Sequence, residues 1–176
     1  IHYRLLHEKT VDLLEQGEIN TDHGPFTINV FQDSTDGETH LALVKGSPKA
    51  EDPTLVRVHA GSAVRDMLGA QLSDKPDWNI QRCLAAIEKE GCGVLVLLAT
   101  HNTSVDWLED AQIALGRRAK PSVLVTKGSD SLTIGVGSQI LRQLGVQKIR
   151  LMGPDKHYSG ISGFDLEVVE YVSCDS

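Results

Sequence analysis

Apolar positions fall into two different periods along this chain, and the change comes near its middle. The first half reads as short strands. Thr27-Ile-Asn-Val-Phe31 alternates weakly, Ser34-Thr-Asp-Gly37 is turn chemistry, and His40-Leu-Ala-Leu-Val44 is a second strand, so the pair predicts a hairpin. Gly46-Ser-Pro-Lys49 is a further break, and Leu55-Val-Arg-Val-His59 is a third strand with Val56 and Val58 on one face. Ahead of these, Leu5, Leu6, Leu13 and Leu14 lie among charges, which reads as a short helix or linker stopped near Gly17. In the second half Ile80, Cys83, Leu84 and Ile87 recur at i, i+3, i+4 and i+7, one face of a helix. Pro76 and Asp77 suit its start and Gly91 its stop. Val94-Leu-Val-Leu-Leu98 is a continuous apolar run, as expected of a strand covered on both faces. Val105 to Ala114 reads as a helix and Ser122 to Val125 as a short strand. Ile134, Ile140, Leu141 and Leu144 mark another amphipathic helix, with Gly145 placed to end it. Ile149 to Met152 and Leu166 to Val172 are the last strands. Helices alternating with buried strands predict an α/β layered domain, and the antiparallel start predicts a mixed sheet.

Composition narrows the picture without redirecting it. A chain of 176 residues is enough for one domain with a sizeable core. Net charge is −7, so there is no general electrostatic pull on nucleic acid or anionic membranes. That charge is also a poor start for gripping a triphosphate. Cys83, Cys92 and Cys174 share no close metal-ligand spacing and are odd in number, which favours a reducing, cytoplasmic setting over a disulfide framework. No run reaches the roughly 20 apolar residues of a membrane helix, and no signal peptide opens the chain. A first residue Ile1, not Met, reads as a fragment or a processed chain.

Several segments, in order and spacing, resemble the GTP cyclohydrolase II domain of riboflavin biosynthesis. Arg57-Val-His59 is similar to the start of that family's "RVHSEC", and Ala85 to Val94 to its "AALRRIAEEGRGV". Gly135-Val-Gly-Ser-Gln-Ile-Leu141 followed by Leu144-Gly-Val146 resembles "YGIGAQILRDLGV". Arg150-Leu151 and Tyr158 to Glu170 resemble the family's closing segment. The likeness runs from about Gly24 to about Val172 and implies an α/β three-layer domain with a mixed sheet, and a homodimer. Ile1-His-Tyr-Arg4 resembles the joint of bifunctional riboflavin proteins, in which a 3,4-dihydroxy-2-butanone 4-phosphate synthase domain comes first. The implied division is a linker or helix over 1–22 and a cyclohydrolase-like domain over 23–176.

The same resemblance exposes what is missing. In the family three cysteines hold a zinc ion, and such a metal lowers the pKa of its bound water towards ~7. Reading on from His59, those positions are Ser62, Ser73 and Lys75. Neutral serines are poor zinc ligands and a lysine adds a positive charge, so no zinc is expected. His59 and His101 are weak grounds for a replacement site. The family's Arg- and Gly-rich phosphate segment is replaced by Ala99-Thr-His-Asn-Thr-Ser-Val-Asp-Trp-Leu108. Ser104 stands where an anchoring group is needed, Asp106 would repel phosphate, and Trp107 reads as packing at the start of a helix. Asp130 of the family's "DSRDYGIG" is kept, but its proposed nucleophilic arginine is Leu132 and its tyrosine is Ile134. Asp130 is then vestigial and suits a helix N-cap or loop. The family's "TNNPAK" becomes Met152-Gly-Pro-Asp-Lys-His157.

The expectation is a cyclohydrolase-II-like domain without cyclohydrolase activity, serving a fused synthase structurally, by regulation, or by binding a nucleotide or pathway metabolite. Two alternatives stand beside it. One is altered chemistry on a nucleotide or riboflavin intermediate in the old pocket, whose candidate groups are His59, Arg65, His101, Lys127, Asp130, Ser131 and His157. The other is ordinary GTP ring-opening hydrolysis.

Overall fold

The computed structural model describes residues 10–35, 37–60, 78–98, 111–112, 115–117, 130–153 and 165–174. The strands are β1 (Val11–Thr21), β2 (Gly24–Asp33), β3 (Thr39–Lys45), β4 (Thr54–Ala60), β5 (Gly93–Leu98), β6 (Lys148–Met152) and β7 (Glu167–Val172). The described helices are α1 (Ile80–Glu90) and α2 (Asp130–Gln143). One seven-stranded sheet runs in the order β1-β2-β3-β5-β4-β6-β7. β1, β2, β3 and β5 pair antiparallel in turn, while β5, β4, β6 and β7 are mutually parallel. The sheet is mixed, as the sequence pattern requires.

Alternation along the strands divides the core between two faces. Val56 in β4 and Val94, Val96 and Leu98 in β5 pack with Val136, Ile140 and Leu141 of α2. Leu55, Leu95 and Leu43 point the other way and pack with Cys83, Leu84 and Ile87 of α1. The two helices therefore cover opposite faces, giving three layers. Leu95 is fully buried, and burying a leucine side chain stabilises by roughly 1.5–3 kcal/mol. β5 has apolar residues on both faces because both faces are covered.

α1 forms where its periodicity places it, but it is capped one turn later than Pro76 and Asp77 implied. Asn79 is the N-cap, and its side chain accepts from the Arg82 N–H at 2.8 Å. Pro76 and Asp77 themselves lie outside the described residues. The helix ends at Gly91, whose φ of 84° closes it by donating to the Ile87 carbonyl. α2 ends in the same manner ahead of Gly145, at φ 88°.

The N-terminal expectation needs correction. Over Val11–Thr21 the chain is neither helix nor linker but an 11-residue strand joined to β2 by a tight turn at Asp22-His23. The pattern at Leu13 and Leu14 carried no helical partners at i+3 or i+4, and pairing with β2 decided the local state. The register shifts between Leu13 and Glu15, so the adjacent leucines mark a β-bulge. The expected helix over Val105–Ala114 is described only at residues 111–112, and the expected strand Ser122–Val125 lies outside the described residues.

Candidate functional site

Strand direction locates the candidate site. The segment after β4 leads to α1 on one face, and the segment after the neighbouring β5 leads to α2 on the other. Adjacent parallel strands whose connections leave to opposite faces open a crevice at their carboxyl ends, the usual ligand position in α/β sheets. The connections 61–77 and 99–129 both start there. They carry Ser62, Arg65, Ser73 and Lys75, and His101, Ser104 and Lys127. All of these lie outside the described residues, as does His157 beyond β6. Asp130 and Ser131 begin α2, as does Leu132; their backbone is helical and their side chains lie outside what is described. The structure thus brings His59 and the start of α2 to the ends of neighbouring elements and places none of the other candidates.

His59 is described in full. It is fully buried at the end of β4, opposite Leu97 of β5. The preceding residue on the same strand face is Arg57, whose Nε donates to His59 Nδ1 at 3.4 Å. In the neutral ring that leaves the proton on Nε2. Arg57 also donates from a terminal nitrogen to the Met152 carbonyl at the end of β6, at 2.9 Å. Position 153 lies against the guanidinium: a Cβ on Gly153 would come within 3.2 Å of it. Gly153 N–H in turn donates to the Val172 carbonyl, which Trp78 Nε1 also approaches at 2.9 Å. Arg57, Gly153 and Trp78 together tie the carboxyl ends of β4, β6 and β7. Sequence reasoning quoted Arg57 for its resemblance but did not single it out; a charged residue two positions before His59 on an apolar strand was the available signal.

No group of three or more His, Cys, Asp or Glu side chains is placed to hold a metal ion among the described residues. None of the three cysteines forms a disulfide. Cys83 is buried in α1. Cys92 lies at the amino end of β5, away from the crevice. Burial pushes its thiol above the ordinary value, Asp52 and Glu90 add to the effect, and a backbone hydrogen bond at Ser47 opposes it. Its thiolate is therefore disfavoured. Cys174 follows β7, which lies two strands from β4. No described helix is long and apolar enough to cross a membrane.

Comparison with known proteins agrees with the geometry. The family model for GTP cyclohydrolase II matches residues 13–173. A 3,4-dihydroxy-2-butanone 4-phosphate synthase of Pseudomonas syringae pv. tomato is 38% identical over 174 residues, covering 98% of this chain and 46% of the relative. A riboflavin biosynthesis protein RibBA of Phocaeicola vulgatus is 31% identical, covering 98% of this chain and 44% of the relative. The crystal structure of RibBX, a two-domain 3,4-dihydroxy-2-butanone 4-phosphate synthase from A. baumannii, superposes with a TM-score of 0.68 at 34% identity, covering 99% of this chain and 43% of that one. The chain spans less than half the length of the curated relatives it matches.

Proposed function

The chain belongs to the GTP cyclohydrolase II family of riboflavin biosynthesis, and from that premise we propose that it is a cyclohydrolase-type domain without cyclohydrolase activity, serving a 3,4-dihydroxy-2-butanone 4-phosphate synthase to which it is fused. One contrast supports this. Ala85–Val94, Gly135–Val146 and Gly163–Val172, segments that resemble the family, contribute Ile87, Val94, Val136, Ile140, Leu141, Val146 and Leu166 to the core. The positions that would carry ring opening hold Ser62, Ser73, Lys75 and Leu132. A neutral hydroxyl does not replace a thiolate on zinc, and leucine has neither a lone pair nor a proton to transfer. Function resides in the site and not in the fold. The relative with 38% identity is named as the synthase, and Ile1-His-Tyr-Arg4 resembles the joint at which such a domain ends.

The service is structural or regulatory, in a homodimer, with a pathway metabolite as the ligand class for His59 and the other pocket candidates. The full-length protein tests the proposal. It should contain no stoichiometric zinc, release no pyrophosphate from GTP with zinc supplied, and form 3,4-dihydroxy-2-butanone 4-phosphate. One zinc per chain together with pyrophosphate release would overturn it. A thermal shift with one riboflavin intermediate would select metabolite binding over a purely structural role, since a ligand specific to the native state must raise its stability.

A further inference from the structure

β1 is held very unevenly. Nine of its eleven residues are exposed, whereas Val11 at its start is fully buried. Two glutamines of α2, one turn apart, hold this start. Gln139 Oε1 accepts from the backbone N–H of Thr10 at 2.8 Å and of Val11 at 3.2 Å. Its Nε2 donates to Thr10 Oγ1 at 3.0 Å. Gln143 Nε2 donates to the Val11 carbonyl at 2.6 Å. The Thr10 carbonyl accepts from the Ser34 N–H at 2.8 Å and from its hydroxyl at 3.1 Å. Thr10 and Val11 are thus held by two side chains of α2 at the point where the chain joins the sheet.

That point is at the same end of the sheet as the candidate site. Val11 pairs with Asp33, Gln32 with Thr39, and Leu41 with Leu97, so the chain enters at the end of the sheet where β4 and β5 finish, with β2 and β3 between β1 and β5. α2, which grips it, begins at Asp130, in the segment that replaces the family's nucleophile. Gln139 also lies inside Gly135–Leu141, the family-like stretch. Its amide accepts from two backbone N–H groups, 129 and 128 positions away, and donates to the Thr10 hydroxyl.

We propose that Gln139 and Gln143 form an interdomain clamp, which seizes the incoming chain at Thr10 and Val11 and sets the attitude of the preceding domain relative to α2. The proposal rests on the fused-synthase reading for what that domain is. Without the clamp, Val11 would keep its apolar contacts and the Thr10 carbonyl its two bonds from Ser34, but the backbone N–H groups of Thr10 and Val11 would lose the Gln139 acceptor.

The test uses the full-length protein with Gln139→Leu and Gln143→Leu together. Lys9 directly precedes the clamped pair, so trypsin cutting after it must take Thr10 and Val11 into its own site. Local opening controls such cleavage. Cleavage after Lys9 should accelerate by about tenfold or more, as expected for losing several hydrogen bonds. Cleavage after Lys89, in α1 on the opposite face, should not change, and small-angle scattering should show a larger maximum dimension. Equal acceleration at both sites, no acceleration at Lys9, or unchanged scattering would overturn the clamp. If the double variant does not fold, Gln143→Leu alone should give the same pattern more weakly, and failing that pattern would overturn the clamp as well. A natural protein with no folded domain ahead of Ile1 would instead sink the fusion reading and the orienting role, while the tryptic comparison would still report on the grip itself.

Discussion

A methyl group at position 93 would lie 2.9 Å from the Leu55 carbonyl oxygen and 2.9 Å from Ile87 Cγ1. Gly93 pairs with Leu55 across the parallel β4–β5 ladder and lies under α1. Neither neighbour gives way cheaply: one is ladder backbone and the other a core side chain. Gly93→Ala should therefore destabilise by about 1–3 kcal/mol, the range for overpacking. Gly17 in β1 has no atom within 4 Å of an added Cβ, and alanine suits a strand at least as well as glycine. Gly17→Ala should leave the unfolding free energy, read from denaturant titration, within about 0.5 kcal/mol of the parent or above it. Equal losses at both positions would show that the close approach is not what selects glycine at 93. The sequence did not single out Gly93, because the contact that fixes it comes from a strand nearly forty positions earlier.

The elements differ in how much of them local pattern could disclose. α1 was legible because Cys83, Leu84 and Ile87 repeat at helical spacing and are all buried in the structure. β5 was legible because five consecutive apolar residues fit a strand covered on both sides. β1 was not, because its residues are mostly exposed and no pattern of burial marks them; pairing with β2 defines it. The cap of α1 makes the distinction measurable. Proline and aspartate are good starting residues in general, but the helix uses Asn79, buried at 8% exposure and bonded to the Arg82 N–H. Asn79→Ala should cost about 1 kcal/mol, read as a fall in the denaturant midpoint with unchanged slope. A loss within error would mean that the first turn is held by packing alone. The site follows the same rule. His59 stood out as a lone histidine on an apolar strand, whereas the roles of Arg57 and Gln139 are bonds to Met152 and Thr10, partners that no local window contains.

At the scale of the whole molecule, scaffold and chemistry are separable, and the separation can be tested by adding chemistry back. The sheet order, the two covered faces and the crevice at the ends of β4 and β5 depend on core residues such as Val56, Leu95 and Ile140, all fully or almost fully buried. The proposed loss of zinc depends on Ser62, Ser73 and Lys75, three positions outside the described residues. Replacing Ser62, Ser73 and Lys75 together by cysteine restores the family's ligand set on a strand end that the structure already holds. Zinc binding follows from ligand identity and a preformed scaffold, so this triple variant should take up about one zinc per chain by elemental analysis while the parent takes up none. Ring opening asks for more. With Leu132 in place of the arginine, and with no arginine between Ala99 and Leu108 to grip phosphate, the zinc-loaded variant should still release no pyrophosphate from GTP. If it binds no zinc, the connection after β4 no longer converges as the family's does, and the scaffold has changed along with the site. If it binds zinc and turns over GTP, the arginine positions were dispensable, and the proposed inactivity reduces to the loss of three thiolates.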